Sequence, residues 1–409
     1  MNKKKIINDP VYGFISIPTE LVFDLIEHPY FQRLRYIKQL GMTHLVYPGA
    51  LHTRFHHALG AMHLMKMSVE VLRSKGQTIT PEEEEAVAIA ILLHDIGHGP
   101  FSHALEHTIV EGISHEDISM LLMDKLNKQF NGRLTMAISI FNGTYTKGFL
   151  HEMVSSQLDM DRLDYLNRDS FFTGVSEGVI SSDRIIKMLN VKDDHITIEE
   201  KGIYSIEKFL IARRLMYWQV YFHKTVIAAE MLLVKILTRA RELALAGQKL
   251  FATPALDHFL QKTISREVFI NEDHHIETFA ALDDTDIISA VKVWAHSDDK
   301  VLAKLCTDFI TRKLYHVDIT NEPADENAIA TLTERAMKNY GITAHEAQYF
   351  VFKDIILNHA YKIGDGFIRI LMKDGSIKDI TAASDNSNLE ALAKIVKKYV
   401  LCYSKDLTI

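Results

Sequence analysis

The chain has 409 residues, 47% of them hydrophobic, and a formal net charge of −7. This composition predicts a compact globular protein of one large or two ordinary domains. The acidic balance disfavours a general nucleic-acid or membrane-surface binder, which would need a basic field. Only two cysteines occur, Cys306 and Cys402, and no apolar run reaches the length of about 18 residues that a membrane span needs. We therefore expect neither a disulfide framework nor a thiolate zinc site, and we predict a cytoplasmic protein.

The patterns of the first hundred residues are mainly helical. The run FHHALGAMHLMKMSVEVL carries His57 and has residues at helical spacing. Thr80 opens a capping box with proline at the first helical position. The following AVAIAILLHD is apolar on every face and predicts a helix buried in the core. His94 and Asp95 end this run just before Gly97, so the pair should pass from a rigid helix into a loop.

A third helix is predicted over HEMVSSQLDMDRLDYLNRD. At the rotation of about 100° per residue of an α-helix, Asp161, Arg162, Tyr165 and Asp169 share one face. That face carries two carboxylates, a cation and a phenol, while Leu158 makes it only partly polar. Downstream, residues 203–246 predict one or two further long helices.

The C-terminal part mixes helical and strand patterns. LDDTDIISAVKVWAHSDDKVLAKLC is helical, whereas HVDIT and FIRILMKDGSIKDI predict strands, the latter a hairpin turning at Asp374 and Gly375. NLEALAKIVKKYVLCY predicts a closing amphipathic helix. We therefore predict a mainly α fold, with a multi-helical core over residues 1–245. Residues 246–409 should form a helical extension and a small α+β C-terminal lobe.

Two histidines and two aspartates form a candidate metal site: His57, His94, Asp95 and Asp161. Imidazole and carboxylate together suit a divalent ion such as Mn, Fe, Zn, Ni or Mg. Four protein ligands leave positions on a six-coordinate ion open for water and a phosphate oxygen, and the ion would lower the pKa of that water. A lone histidine is more often a hydrogen-bonded core or surface residue. The high density of ionisable and glycine residues in HDIGHGPFSH favours a metal site instead.

Further histidines follow in and after the same loop. Imidazoles with an ordinary pKa near 6.5 can donate to phosphate oxygens or protonate a leaving alkoxide. The candidates are His98, His103 and His115. A loop of solvated histidines is the alternative. The surplus histidines elsewhere are interpreted as structural, and they include His63, His223, His258, His274 and His275.

Cations and tyrosines add a second group of candidates. Guanidinium matches phosphate in a bidentate manner, and an ammonium group can also bind it. The candidate phosphate clamps are Arg54, Arg162, Arg213 and Lys224. Each of them, taken alone, is more often a surface charge. Tyr165 and Tyr221 could stack on a sugar or base, or they could simply pack in the core.

The order His57, His94-Asp95, Asp161 is the H…HD…D pattern of the HD-domain phosphohydrolases. INDPVYG, HPYFQRLRYIKQLG, LLHDIGHGPFSHALE, SHED and LDMDRLDYLNRD closely resemble the catalytic core of the SAM-and-HD-domain deoxynucleoside triphosphate triphosphohydrolases. The resemblance is specific over residues 5–225 and faint after residue 250. It implies that the multi-helical core is an HD domain. Because INDPVYG lies almost at the N-terminus, no SAM domain is expected before it.

Members of this family cut a deoxynucleoside triphosphate into deoxynucleoside and inorganic triphosphate, by attack on the α-phosphorus. The resemblance implies the same reaction here, with the metal on the four candidate ligands and Mg²⁺ possible with the triphosphate. The implied catalytic residues are His98, His103, His115 and Asp95, with His103 as the acid for the 5′-oxygen. The triphosphate would also contact Arg54, Arg162, Tyr165 and Arg213. The deoxyribose would contact Gln39, Leu40, Asp169 and Tyr221.

The family also has a regulatory nucleotide site between subunits. Its motif matches Ile6, Asn8, Gln32 and Arg35. Glu27 stands where the family typically carries Asp, which bears on the guanine preference of that site. The implied partners are a nucleotide substrate, a nucleotide activator and further copies of the chain in a dimer or tetramer. No membrane partner is expected, and nucleic acid is disfavoured.

Three alternatives stay open from the sequence. The first is an HD-type phosphohydrolase that acts on nucleoside monophosphates or another phosphorylated metabolite. Release of orthophosphate instead of triphosphate would identify it. The second is a nucleotide sensor without turnover, which the intact ligand set disfavours. The third is a nuclease, which the acidic net charge disfavours.

Overall fold

The computed structural model describes residues 5–101, 112–358, 367–385, 389 and 396–408. These residues are mainly helical with small sheets, which confirms the predicted fold class. The helices before residue 250 are α1 (Glu20–Glu27), α2 (Pro29–Gln32), α3 (Arg54–Ser74), α4 (Pro81–Leu93), α5 (His115–Gln129), α6 (Thr135–Phe141), α7 (Gly148–Val154), α8 (Met160–Thr173), α9 (Ser182–Met188), α10 (Ile203–Met216) and α11 (Lys224–Leu245). The helices after it are α12 (Pro254–Gln261), α13 (Arg266–Asn271), α14 (Asp273–Phe279), α15 (Asp284–Trp294), α16 (Lys300–Ile310), α17 (Glu326–Tyr340), α18 (Ala344–Ala347) and α19 (Ile380–Ala383).

The strands form three sheets within the described residues. They are β1 (Ile6–Asp9), β2 (Gly13–Ser16), β3 (Leu189–Lys192), β4 (His195–Glu199), β5 (His316–Thr320), β6 (Val351–Asn358), β7 (Arg369–Leu371), β8 (Ile377–Asp379) and β9 (Val396–Tyr403). β1 and β2 form an antiparallel pair, and the other two sheets have the strand orders β3-β4-β7-β8 and β5-β9-β6. The predicted hairpin at Asp374 and Gly375 is confirmed: β7 and β8 are antiparallel, and Gly375 adopts a φ of +82° in the turn between them.

Helix α3 lies at the centre of the helical core, packed against α4 and α8. Its Gly60 faces α8, where a Cβ would lie 2.0 Å from Asp164 Oδ1 and 2.1 Å from Arg168 Nη2. Only a residue without a side chain allows these helices to approach so closely. The close approach matters for the site, because α3 carries His57 and α8 carries Asp161.

Helix α4 begins and ends as predicted. Thr80 Oγ1 accepts from the Glu83 backbone at 3.2 Å, and the Glu83 carboxylate accepts from the Thr80 backbone at 2.9 Å, which completes the capping box. All side chains of residues 86–93 are buried, so the helix is apolar on every side because it is surrounded by the core. The helix ends at Leu93, and His94 and Asp95 follow it directly.

The single helix predicted over HEMVSSQLDMDRLDYLNRD is wrong in its middle. Helix α7 ends at Val154 and α8 begins at Met160. The side chain of Asp159 caps α8 by accepting from the Arg162 backbone at 2.7 Å, and it also accepts from the Ser156 backbone at 2.8 Å. An aspartate that satisfies free backbone donors in this way starts a new helix rather than continuing an old one. The predicted polar face lies entirely on α8.

The sequence predicts one or two long helices over residues 203–246, and the structure has two, α10 and α11. A single π-helical turn, Tyr217–Tyr221, separates them. It brings the rings of Tyr217 and Tyr221 edge to face at 5.1 Å. The segment predicted as helical after residue 282 forms α15 and α16.

Across the parts of the chain that the structure describes, no helix is both long and apolar enough to cross a membrane.

The closing helix predicted over NLEALAKIVKKYVLCY is wrong over Val396–Tyr403, which forms strand β9. β9 is the central strand of its sheet, and Cys402 pairs with Val317 on one side and Phe352 on the other. Backbone hydrogen bonds on both edges and the burial of Val400 and Cys402 favour the strand over the helical period of the sequence. Residues 390–395 of this segment lie outside the described residues.

One sheet joins strands from both predicted halves of the chain. β4 pairs in parallel with β7, with Thr197 opposite Arg369. In addition, α11 packs against α16 and β5, and a single hydrophobic cluster extends from Ile15 to Leu407. The division of the chain into residues 1–245 and 246–409 therefore stays a prediction, with extensive packing across it.

Candidate metal centre and substrate cavity

His57 lies in the first turn of α3 and is fully buried. Its Nδ1 is 2.7 Å from Asp164 Oδ2, and its Nε2 is 3.1 Å from Asp161 Oδ1. Burial by itself lowers the pKa of His57, but the hydrogen bonds to Asp161 and Asp164 outweigh it and raise the pKa to about 10. Because Asp164 holds Nδ1, a metal ion would compete with the second proton for Nε2.

His94 is the residue that caps the C-terminus of α4. Its Nδ1 is 2.6 Å from the carbonyl oxygen of Ile91, an arrangement that places the proton on Nδ1. Its Nε2 lies 3.4 Å from His57 Nε2 and 3.5 Å from Asp161 Oδ1. The two imidazoles therefore present their Nε2 atoms to the same point.

The two aspartates complete the set. Asp95 Oδ1 is 3.3 Å from His94 Nε2, and Asp95 Oδ2 is 3.8 Å from His57 Nε2. The donor atoms of His57, His94 and Asp161 all lie within 4.8 Å of one another. Burial alone would raise the pKa of Asp161, but hydrogen bonds from the two histidines hold it well below its usual range. Two imidazoles and the Asp161 carboxylate around one point, with Asp95 beside both imidazoles, fit a divalent metal ion, while Asp95 also groups with His98 and His115.

A chain of buried ion pairs runs from His57 to the N-terminal hairpin. Asp164 Oδ2 accepts from Arg168 Nε at 3.0 Å, and Arg168 Nη1 donates to Asp9 Oδ2 at 2.7 Å. All four side chains are buried, so the chain fixes the orientation of the imidazole. Sequence reasoning missed these three residues. The i, i+4 spacing of Asp164 and Arg168 indicates an ion pair, but nothing in it indicates a contact with a histidine 107 positions away.

The candidate histidines His98 and His115 lie beside the metal ligands. His98 Nε2 is 3.2 Å from Asp95 Oδ1, and the His98 ring stacks on that of His115 with centroids 3.9 Å apart. Burial, followed by the charge of Arg54, lowers the pKa of His98 well below its ordinary value. His98 is therefore a neutral hydrogen-bonding group near pH 7. His103, the expected acid, lies outside the described residues.

Two of the predicted arginines reach the cavity. Arg54 begins α3, and its Nη1 is 2.5 Å from Asp95 Oδ2. Arg162 lies on α8, with its Nη1 3.3 Å from Asp159 Oδ2 and 3.6 Å from Asp161 Oδ2. Both guanidinium groups thus lie next to the metal ligands, where they can also meet a phosphate.

The other two predicted cations are placed differently. Arg213 is buried and donates to Gln157 Oε1 at 3.2 Å, but it is not among the residues that line the cavity. Lys224 is exposed at the start of α11 and does not line it either. Lys38, which sequence reasoning did not consider, does line the cavity, and its ammonium lies 3.5 Å from Asp284 Oδ2.

Three of the four candidate metal ligands, His94, Asp95 and Asp161, border a cavity of about 870 Å³. This volume is ample for a nucleotide. The predicted residues that line it are Gln39, Leu40, Arg54, His94, Asp95, His98, His115, Asp161, Arg162, Tyr165, Asp169 and Tyr221. Lining residues that sequence reasoning missed include Lys38, Thr43, Phe141, His151, Tyr217, Phe222, Glu230 and Met231. Lys38 lies within the HPYFQRLRYIKQLG motif, whereas Phe141, Glu230 and Met231 belong to no motif of the sequence.

A hydrogen-bonded unit lines the cavity away from the metal ligands. Asp169 Oδ2 accepts from the Tyr221 hydroxyl at 2.7 Å, and Asp169 Oδ1 is 2.8 Å from His52 Nε2. Burial and the nearby Asp169 charge raise the pKa of Tyr221 well above its ordinary value, so Tyr221 stays a donor. The ring of Tyr165 meets that of Tyr221 edge to face at 6.2 Å. His52 was not foreseen from the sequence.

The four residues matched to a regulatory site lie away from this cavity. Ile6 and Asn8 are exposed on β1, Gln32 ends α2, and Arg35 follows in a short 3₁₀ turn. Arg35 donates to Gln32 Oε1 at 2.8 Å, and its guanidinium lies 3.6 Å from the centre of the Phe55 ring. Their role in binding a nucleotide stays a prediction.

Comparisons with known proteins agree with this geometry. The family model described as the HD domain matches residues 54–167, and that of the HD associated region matches residues 180–253. The uncharacterized protein YwfO of Bacillus subtilis is 33% identical, in an alignment that covers 100% of this chain and 94% of that protein. The deoxynucleoside triphosphate triphosphohydrolase SAMHD1 homologue of Dictyostelium discoideum is 32% identical, over 58% of this chain and 49% of that protein.

A solved structure extends the comparison to the whole fold. The phosphohydrolase BT4208 of Bacteroides thetaiotaomicron has 55% sequence identity and a TM-score of 0.96, covering 98% of this chain and 100% of that one. The chain belongs to the HD-domain phosphohydrolases, which confirms the family expected from the H…HD…D pattern. His57, His94 and Asp161 form a candidate metal-binding group within it.

Proposed function

We propose that the protein hydrolyses deoxynucleoside triphosphates to deoxynucleoside and inorganic triphosphate. The observation that carries this proposal is the layout of one cavity. Asp161, Arg162 and the neighbouring imidazoles line one part of its wall, and Asp169, which accepts from Tyr221, lines another, about 12 Å further along α8. A polyanion fits the first part and a sugar hydroxyl fits the second. The similarity to the Dictyostelium triphosphohydrolase supports the same choice.

At the metal ligands, charge neutralisation is the main task of the side chains. A divalent ion bound there supplies Lewis-acid polarisation of a phosphoryl oxygen. Arg54 and Arg162 would exchange part of their pairing with Asp95 and Asp159 for contacts to the triphosphate. His98, which is neutral, can donate one ring N–H to a non-bridging oxygen. These fixed donors stabilise the charge that develops as the triphosphate leaves.

In the proposed reaction, water displaces the deoxynucleoside from the α-phosphorus. The new bond joins a water oxygen to that phosphorus, and the bond between phosphorus and the 5′-oxygen breaks. The 5′-oxygen takes up a proton and leaves as the hydroxyl of the deoxynucleoside. His103 is the proposed donor of this proton, from its position in the sequence motif.

Selection of the sugar is proposed for the Asp169–Tyr221 unit. The Tyr221 hydroxyl already donates to Asp169, and His52 holds the other carboxylate oxygen. A carboxylate fixed on both oxygens would accept a sugar 3′-hydroxyl, and the Tyr221 hydroxyl, by holding Asp169 in position, would set the contact that discriminates against a sugar with an additional 2′-hydroxyl. Gln39 and Leu40 line the same cavity and would complete this contact.

The test is a substrate panel on the full-length protein loaded with Mn²⁺. Each dNTP and NTP is incubated alone and in pairs, and the products are separated by ion-exchange chromatography. We expect triphosphate and deoxynucleoside in equal amounts from dNTPs. Orthophosphate as the first product would instead support a phosphohydrolase of another substrate class, and no turnover of any nucleotide would overturn the proposal. Turnover that appears only in mixtures would support a nucleotide activator.

A further inference from the structure

Three histidines that the sequence pattern left as structural meet between two C-terminal helices. His258 lies in the last turn of α12, and His274 and His275 lie in the first turn of α14. One ring nitrogen from each of the three lies within 4.8 Å of those of the other two. His258 Nε2 and His275 Nδ1 are 2.8 Å apart. None of these residues lines the catalytic cavity.

The ring arrangement resembles that of metal-bound imidazoles more than that of stacked rings. The His258 ring stands at 84° to the His274 ring, with centroids 5.5 Å apart, and at 46° to the His275 ring, with centroids 5.0 Å apart. The rings of the neighbouring His274 and His275 are 3.9 Å apart and tilted by 39°, so convergence is shown by the mutual spacing of the ring nitrogens, all within 4.8 Å of one another. A zinc ion with nitrogen ligands at about 2.0–2.1 Å requires ligand nitrogens at such close mutual spacing.

A carboxylate stands behind one of the three rings. Glu272 Oε2 is 3.2 Å from His275 Nε2, the nitrogen that does not face His258. The same oxygen is 3.6 Å from His274 Nδ1. A histidine that binds a metal commonly donates its other N–H to a carboxylate, which fixes the tautomer and increases the basicity of the ligating nitrogen. His275 has this arrangement, and its Nδ1, which contacts His258 Nε2 here, is the atom that would bind the ion in place of that contact.

The charged side chains around the cluster do not oppose a cation. The flanking Lys262 and Asp257 carry opposite charges, and Glu272 supplies one further negative charge next to the rings.

We propose that His258, His274 and His275 form a second metal site, which binds a transition-metal ion of the zinc class, with the Glu272 carboxylate supporting His275 from behind. A set of three imidazoles favours such ions over Mg²⁺ and Ca²⁺, which prefer oxygen ligands. The site is structural, because the ion would join the end of α12 to the start of α14. The proposal does not depend on the proposed hydrolysis being correct.

The proposed metal site is connected by packing contacts to the loop that carries His98. Phe279, at the end of α14, packs against Gly99, where a Cβ would lie 3.1 Å from its ring. The guanidinium of Arg33 lies over the same ring at 5.5 Å and donates to the His98 carbonyl at 2.8 Å. An ion that fixes α14 therefore also supports the loop that carries His98.

The test compares zinc content with and without the proposed ligands. Full-length protein is stripped with a chelator, dialysed against Zn²⁺ and analysed by atomic emission, both in the wild-type background and with Asp161→Ala at the catalytic centre. We expect the double change His258→Ala and His274→Ala to remove one equivalent of zinc per chain in each background. His275 is left intact, since it is buried and packs near Phe269.

A matched control and a second measurement keep the test decisive. His296→Ala replaces an exposed histidine outside the cluster and should leave the zinc content unchanged. Zn²⁺ should raise the melting temperature of the Asp161→Ala protein and lose this effect when His258 and His274 are also replaced, because a ligand stabilises only the state that binds it. Equal zinc content with and without the two histidines, in proteins with native circular dichroism, would overturn the proposal.

Discussion

The two ends of the cavity are built on different principles. At the metal end, every candidate group is charged or paired with a charge, and His57 is held by a buried chain of ion pairs that ends at Asp9. At the other end, which we proposed contacts the sugar and call the sugar end, a single carboxylate, Asp169, is held by the phenol of Tyr221 and the imidazole of His52. The first arrangement can stabilise a large negative charge, whereas the second can only select a shape and a hydroxyl pattern. We therefore expect changes at the metal end to alter rate, and changes at the sugar end to alter selectivity.

The largest effect is expected from Asp161→Ala at the metal end. The change removes a carboxylate that lies 3.1 Å from His57 and 3.5 Å from His94. Because a bound metal contributes several kcal/mol to such a reaction, kcat should fall by about 10³-fold or more. Steady-state hydrolysis and metal content measure the effect together. Asp124→Ala, an exposed residue of α5, is the control. Retained metal and activity would show that Asp161 is not a ligand.

A smaller effect is expected from Asp164→Asn, which leaves the ligands intact. Asp164 orients His57 and shares its charge with Arg168, so the change should weaken metal affinity by roughly 10–100-fold. A titration of activity against Mn²⁺ should recover most of kcat at saturating metal. That recovery separates a positioning role from general damage to the fold. An unchanged metal titration would contradict the positioning role of Asp164. Asp183→Asn, which changes an exposed residue of α9, is the control.

Tyr221→Phe tests the sugar end. It removes the hydroxyl that donates to Asp169 at 2.7 Å and leaves the ring in place. One such hydrogen bond contributes about 1 kcal/mol, so the ratio of kcat/KM for a dNTP over its NTP should fall roughly fivefold. The metal titration should not change. Tyr204→Phe, exposed on α10, controls for loss of a phenol. A loss of metal affinity without a loss of selectivity would contradict the assignment of separate roles to the two ends of the cavity.

The smallest effect concerns Glu230, on the cavity wall. Burial raises the pKa of its carboxyl to about 7. A folded-state pKa above the unfolded value means that the fold is more stable while the group is protonated, and that stability is lost as the pH rises through about 7. Glu230→Gln should therefore raise the free energy of unfolding near pH 8, by at most about 3 kcal/mol, and change it little near pH 5. Denaturant unfolding at both pH values measures the difference, and equal effects at both would contradict it.

The metal end was predictable from the sequence because its ligands are few, belong to rare residue types and follow a fixed order. His94 and Asp95 could even be placed at the end of a buried helix, since the capping box and the apolar run define α4. The supporting residues Asp164 and Arg168 could not be identified, because their contact with His57 depends on how closely two helices pack at Gly60. Sequence periodicity gives the face of a helix but not its neighbour.

The errors also have physical causes. The periodicity of NLEALAKIVKKYVLCY favours a helix, but two neighbouring strands supply partners on both edges of Val396–Tyr403. Such non-local pairing is invisible in a local pattern. The same holds for His258 and His275, which are separated by 17 positions and belong to no motif. Lys224 was selected as a phosphate clamp by its charge alone, and the fold leaves it exposed outside the cavity.

The central claim is that water attacks the α-phosphorus of a dNTP held between the two ends of this cavity. Hydrolysis in water enriched in oxygen-18, followed by mass spectrometry of the products, tests it most directly. We expect the label in inorganic triphosphate and none in the deoxynucleoside. Label in orthophosphate would place the attack on the γ-phosphorus, and label in a deoxynucleoside monophosphate would show that pyrophosphate rather than the deoxynucleoside leaves the α-phosphorus; either result would contradict the account.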